Sequence, residues 1–243
     1  MRPPFLLISS RPEQRAADDE HSAVARHMGV PVERVVRLSA TDDAYAPPDP
    51  AAFAGVLQGG SPFTGSTPLE EQSDLQRRTE DRLGAVLDQV VAAGVPFMGL
   101  CYAVGTLTRR LGAVVDHTYG RGTSAVRVEL TEAGRTDPLL ADVPVAFDAY
   151  VGHHEAVTVA PPGSVVLATS DPTPVQMLRV GADQYVTQFH PELDTAGLVR
   201  RMTDYLHSGY FPAEEFERVV AEISRVRVDD AHGVLAAFAR RYG

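Results

Sequence analysis

The 243-residue chain has no lysine, no asparagine and no tryptophan, and it holds a single cysteine, Cys101. All 22 of its basic residues are therefore arginine. Without lysine there is no Walker-type phosphate loop and no Schiff-base nucleophile, and without asparagine there is no N-glycosylation acceptor. One cysteine excludes an intrachain disulfide framework and any Cys-x-x-Cys metal site, and a cytoplasmic location is the expectation. A formal net charge of −10 offers no general attraction to nucleic acid or to an anionic membrane, so neither partner is expected. No apolar run approaches the roughly 18 residues of a membrane span. Residues 85–100 carry Asp88 and Gln89 and are broken by Gly94 and Pro96. The apolar start, Phe5-Leu6-Leu7-Ile8, is too short for a signal peptide and reads as a first strand.

What is present is 44% hydrophobic residues, ample for a sizeable core in a chain of this length. Short apolar runs at 5–9, 35–38, 54–58 and 95–100 alternate with helical patterns, a polar lead-in at 11–20 opening a helix through 23–28, and an amphipathic helix over 69–93. That alternation predicts an α/β fold, a mostly parallel wound sheet flanked by helices. Beyond Gly112 short β-like runs at 125–130, 145–150, 164–169, 175–180 and 184–189 predict a smaller mixed or antiparallel β portion. A helix is expected at 198–206, and 212–240 reads as two amphipathic helices broken near Val228-Asp229-Asp230. The expected division is a domain of residues 1–209 and a C-terminal helical extension, 210–243. The extension reads as a pair of packing helices or as a docking surface for a second copy or another enzyme.

Three segments carry chemistry. In Pro96-Phe97-Met98-Gly99-Leu100-Cys101-Tyr102 an apolar strand runs into a helix, the turn at which α/β proteins expose a nucleophile beside backbone amides and a helix dipole. In Gln188-Phe189-His190-Pro191-Glu192 a histidine and a carboxylate stand two apart on an extended segment, so both side chains point the same way. A thiol needs a base within reach, and that base needs a carboxylate to fix its tautomer. Leu57-Gln58-Gly59-Gly60 ends a strand in paired glycines, whose amides can line an oxyanion pocket. Adjacent His153 and His154 face opposite ways on a strand and find no third ligand in the pattern, so no metal is expected.

In this order these motifs resemble the class I glutamine amidotransferases, with the GMP synthase glutaminase domain the nearest look, over roughly residues 4–208. The resemblance implies a flavodoxin-like core, no cofactor, and hydrolysis of the glutamine side-chain amide through a γ-glutamyl thioester. Cys101 would be nucleophile, His190 general base and acid, Glu192 its orienter, and the amides of Gly60 and Tyr102 the oxyanion donors. Gly59 and the segment Val151-Gly152-His153 would help hold the glutamyl part. The ammonia would go to an acceptor or synthetase subunit, and a homodimer is a further expectation. The family elbow reads Gly-x-Cys-x-Gly-x-Gln, whereas this chain has Ala103 and Gly105. A glycine at 105 is consistent with drift, or with a larger pocket that takes γ-glutamyl peptides or amines. A non-catalytic relative that uses the pocket for binding is the reading from another class.

Overall fold

The computed structural model describes residues 2–206 and 213–243. The boundary expected at 209/210 therefore lies outside the described residues. Five strands, β1 (Phe5–Ser9), β2 (Val35–Ser39), β3 (Val56–Gln58), β4 (Phe97–Leu100) and β11 (Gln184–Thr187), run parallel in the order β2-β1-β3-β4-β11. The sheet continues antiparallel through β10 (Met177–Val180), β9 (Val165–Thr169), β6 (Arg121–Leu130) and β7 (Ala146–His153). A separate ribbon pairs β5 (Val114–Asp116) with β8 (Ala156–Val159). The wound α/β architecture and the change to antiparallel pairing after Gly112 agree with the expectation; the small ribbon had no counterpart in it.

β1, β3, β4 and β11 are buried along their whole length, which is why β1 and β4 read as apolar runs rather than as alternating ones. Successive residues serve opposite faces. Phe5 and Leu7 of β1 enter one core, with α1 (Gln14–Met28) and α7 (Gly233–Tyr242), while Leu6 and Ile8 enter the other, with α2 (Asp74–Ala93) and α3 (Tyr102–Arg110). Helix α1 begins within the stretch expected to be a polar lead-in. Ala16, Ala17, Glu20, Ala23 and Val24 form its buried stripe, and Gly29 ends it at φ 69°. Helix α2 starts at Asp74, where Ser73 caps it by accepting from Gln76 N, and the apolar Leu69 stays outside.

Helices α5 (Thr195–Asp204) and α6 (Phe216–Ile223) form a third cluster around Tyr150, with Leu198, Met202, Val219 and Ile223. The Tyr150 hydroxyl lies 2.7 Å from Thr195 Oγ1 and donates to Ile223 O at 3.0 Å, tying β7 to both helices. Tyr150→Phe should lower stability by about 1–2 kcal/mol, read as a lower denaturant midpoint at constant m, because a buried carbonyl loses its donor. Helix α7 places Phe238 against Phe5, ring centroids 5.9 Å apart.

Candidate functional site

Register brings the three motifs to one edge. Gln58 pairs with Gly99 and Leu100 with Thr187, so the chain leaves β3, β4 and β11 side by side at their carboxyl ends, where open α/β sheets place ligands. Gly59-Gly60, Cys101 and Gln188-Phe189-His190 follow directly.

Cys101 is the only non-glycine residue with positive φ among the described residues, at φ 48°, ψ −83°. That γ-turn-like backbone is strained and is held by its surroundings. Cys101 N donates to Thr187 O at 2.7 Å, and Cys101 O accepts from Val104 N at 2.9 Å. Gly99 makes the tight turn feasible, since a Cβ there would collide with that of Ala103 across the strand and helix. Ala103 is thus accommodated by the absence of a side chain at 99. The thiol lies 3.7 Å from Gly152 O and 3.8 Å from Gln188 Nε2.

His190 Nδ1 donates to Glu192 Oε1 at 2.8 Å, as the two-residue spacing predicts, and the Cys101 sulfur lies close enough to act electrostatically on the imidazole. Both members of the pair are buried. Burial alone pulls His190 down, but the Glu192 carboxylate and the Cys101 sulfur outweigh it and raise the imidazole to about 9. Burial likewise pushes Glu192 up, and His190 with Arg201 overcomes that, holding it well below the usual carboxylate range. Arg201 Nη1 reaches the same Glu192 oxygen at 2.9 Å. Its 3.4 Å approach to His190 Nδ1 joins two donors and is no hydrogen bond while that nitrogen carries the proton toward Glu192.

The cleft over Cys101 is lined by Tyr102, Gly105, Gly152, His153, Glu155 and Gln188, with residues 61, 63 and 64 on its other wall. Burial holds His153 down at about 4, so it is neutral near pH 7, and its Nδ1 donates to Glu155 O at 3.0 Å. Val151 lines a neighbouring hollow with Gly152, His190 and Arg201 rather than this cleft. Tyr102 opens α3 beside the thiol, where helix amides lack intrahelical acceptors, and its hydroxyl donates to Glu80 at 2.7 Å.

Three glycines have surroundings that the sequence does not show. Gly59 N donates to Ile8 O at 3.0 Å and belongs to the sheet ladder. Gly60 N donates to Glu20 Oε1 at 3.2 Å, because that fully buried carboxylate needs donors. The amide assigned to the oxyanion is thus engaged by a side chain. Beside Gly105, in the cleft wall, the nearest neighbour is the Glu155 carboxylate. A Cβ at 105 would stand 2.6 Å from Glu155 Oε1, and that carboxylate is fixed by Arg109 Nη2 at 3.2 Å and Ser66 N at 2.7 Å.

Glu20, Arg11, Arg201 and Glu155 are the residues that sequence reasoning missed. Glu20 carries a legible signal: it falls on the apolar stripe of α1, between Ala16 and Val24, where a charge is out of place unless paired.

The fold and site define an α/β protein whose single cysteine stands at a strained strand-to-helix elbow, beside a histidine that donates to a carboxylate. Residues 77–199, half of the chain, match the family Glutamine amidotransferase class-I, and the chain belongs to that family. The chain is 29% identical over 165 residues to the glutamine-hydrolyzing GMP synthase of Enterobacter sp. (strain 638), covering 63% of this chain and 31% of that protein. It is 32% identical over 112 residues to that of Edwardsiella ictaluri, covering 44% and 21%. The chain therefore spans less than a third of the length of these relatives. Among solved structures, a glutamine amidotransferase from Thermotoga maritima superposes with a TM-score of 0.77 over 100% of this chain and 99% of that one, at 16% identity. One from Methylobacillus flagellatus gives 0.72 over 100% and 96%, also at 16%. At these identities the structures speak for the fold.

Proposed function

We propose that the protein is a stand-alone glutaminase that cleaves the side-chain amide of glutamine by a Cys101-His190-Glu192 triad. The observation that carries this reading is the 2.8 Å His190–Glu192 bond, buried beside a nucleophile held at a strained elbow.

Cys101, its thiol proton already passed to His190, adds its sulfur to the γ-carbonyl carbon. The tetrahedral oxyanion is met by the Tyr102 amide and the positive end of α3, while Gly60 contributes only when its amide leaves Glu20. The C–N bond breaks, His190 returns the proton to the departing ammonia, and a γ-glutamyl thioester remains. Water, deprotonated by His190, attacks the thioester, glutamate leaves and the thiol recovers its proton. Glu192 holds the imidazole in the tautomer with its proton on Nδ1, leaving Nε2 for the reacting groups. The ammonia would pass to an acceptor.

Filling of the space at Gly105 by Glu155 favours glutamine over bulkier γ-glutamyl donors. The test is ammonia release from glutamine beside amine release from γ-glutamyl amines and peptides. We expect glutamine to be the better donor and Cys101→Ala to be inactive toward all. Equal activity of Cys101→Ala, or failure of a glutamine-like electrophile to label Cys101, would refute the enzyme reading. Preference for the bulkier donors would move the assignment to a γ-glutamyl hydrolase.

A further inference from the structure

Behind the proposed triad lies a chain of charges of alternating sign, buried at Glu192, Glu20 and Arg11. Glu192 is fully buried, and its Oε1 accepts from both His190 and Arg201. On its far side Arg201 Nη2 stands 3.7 Å from Glu20 Oε1. Glu20, also fully buried, accepts from Arg11 Nε at 2.9 Å and from the Gly60 amide. Arg11 donates to the Tyr205 hydroxyl at 3.2 Å, which in turn donates to Glu13 Oε2 at 2.8 Å. Four elements supply the chain: the loop after β1, α1, the segment after β11, and α5. The proposed catalytic steps use neither Arg201 nor Arg11, and Glu20 only as the resting partner of the Gly60 amide.

A carboxylate oxygen shared between two donors gives less of its charge to each. Arg201 competes with His190 for Glu192 Oε1, and its guanidinium, 3.4 Å from Nδ1, also repels an imidazolium directly. Both effects weaken the grip of Glu192 on the protonated base. Glu20 acts in the opposite sense, drawing part of the Arg201 charge away from Glu192. The balance matters because the base must both accept the thiol proton and give it up to the leaving group, and an imidazolium held too firmly is a poor acid.

We propose that Arg201 is a positioning residue of the triad, tethered between Glu20 and Glu192, and that this shared carboxylate sets how firmly His190 keeps its proton. The inference rests on the reading of Cys101, His190 and Glu192 as a triad. His190 faces Cys101 from the elbow, Glu192 in its own segment, Arg201 from α5 and His153 from β7. Glu192 is faced in addition by His27 from α1.

The experiment is the pH dependence of Cys101 alkylation by iodoacetamide, which needs no knowledge of the substrate. In the unaltered protein the alkaline limb should fall near the proton loss of His190, at about 9. Arg201→Met should move that limb upward by about one pH unit, and Arg201→Lys, which keeps the charge, by less than half as much. Glu20→Gln should move it downward, since Arg201 then belongs to Glu192 alone. A purely structural role would not give shifts of opposite sign, and Arg201→Lys with Glu20→Gln still decides the matter if Arg201→Met fails to fold. Shifts of the same sign, or none, while His190→Asn strongly slows alkylation at pH 7, would overturn the role of Arg201 and leave the triad standing. Alkylation at pH 7 that is unchanged in His190→Asn would overturn the triad reading and this inference with it.

Discussion

His190→Asn should reduce glutamine turnover by about 10⁴-fold or more, because the substitution removes both the acceptor of the thiol proton and its donor to ammonia. KM should change far less than kcat, since His190 lies on the far side of Gly152 from most of the cleft wall. The same variant should leave a signature in stability. Folding raises the imidazole from 6.5 to about 9, so the native state binds the proton more tightly than the unfolded chain does. That contribution is complete below the unfolded value and is lost as pH rises through the folded one. The difference in melting temperature between the natural chain and His190→Asn should therefore be widest near pH 6 and closed above about pH 10. A gap that is constant with pH would mean that the Glu192 and Cys101 contacts do not hold the proton on His190.

Glu20→Ala is expected to destabilise the fold by about 3–5 kcal/mol, among the largest losses a single substitution can cause, because it strands buried Arg11 without its ion-pair partner. It also removes the acceptor of the Gly60 amide and loosens Arg201. Denaturant unfolding measures the loss as a shift of midpoint. Replacing the pair together, Glu20→Leu with Arg11→Met, should recover much of it, since two apolar side chains leave no uncompensated charge. If Glu20→Ala cost under about 1 kcal/mol, water would have to be reaching Arg11, contrary to its burial.

The core strands β1 and β4 were legible because they are buried on both faces and so appear as apolar runs whatever their neighbours. The elbow was legible for a chemical reason: a cysteine after an apolar strand, and a His-Pro-Glu segment whose geometry is fixed by a two-residue offset. The environment of Gly60 and Gly105 was not, because each glycine's surroundings come from elsewhere in the chain. Glu20 lies forty residues before Gly60, and Glu155 fifty residues after Gly105. Sequence shows that a side chain is missing, and only tertiary structure shows what has moved into its place. Arg201 was hidden in the same way, since one arginine on an arginine-bearing helix looks like any solvated charge until its partner is placed beneath it.

The backbone bonds of the elbow and the base divide the site mechanically. Cys101 is fastened to β11 through Thr187 O, and His190 to β7 through Tyr150 O at 2.8 Å, so thiol and imidazole ride on one sheet. Their separation is a lattice spacing, indifferent to the loops around them. The Gly60 amide, by contrast, rests on a carboxylate side chain and can turn without breaking a strand pairing. Whatever adjustment the cleft makes to a ligand must fall on that loop side, leaving the thiol and imidazole as the fixed jaw of a vice whose other jaw alone travels.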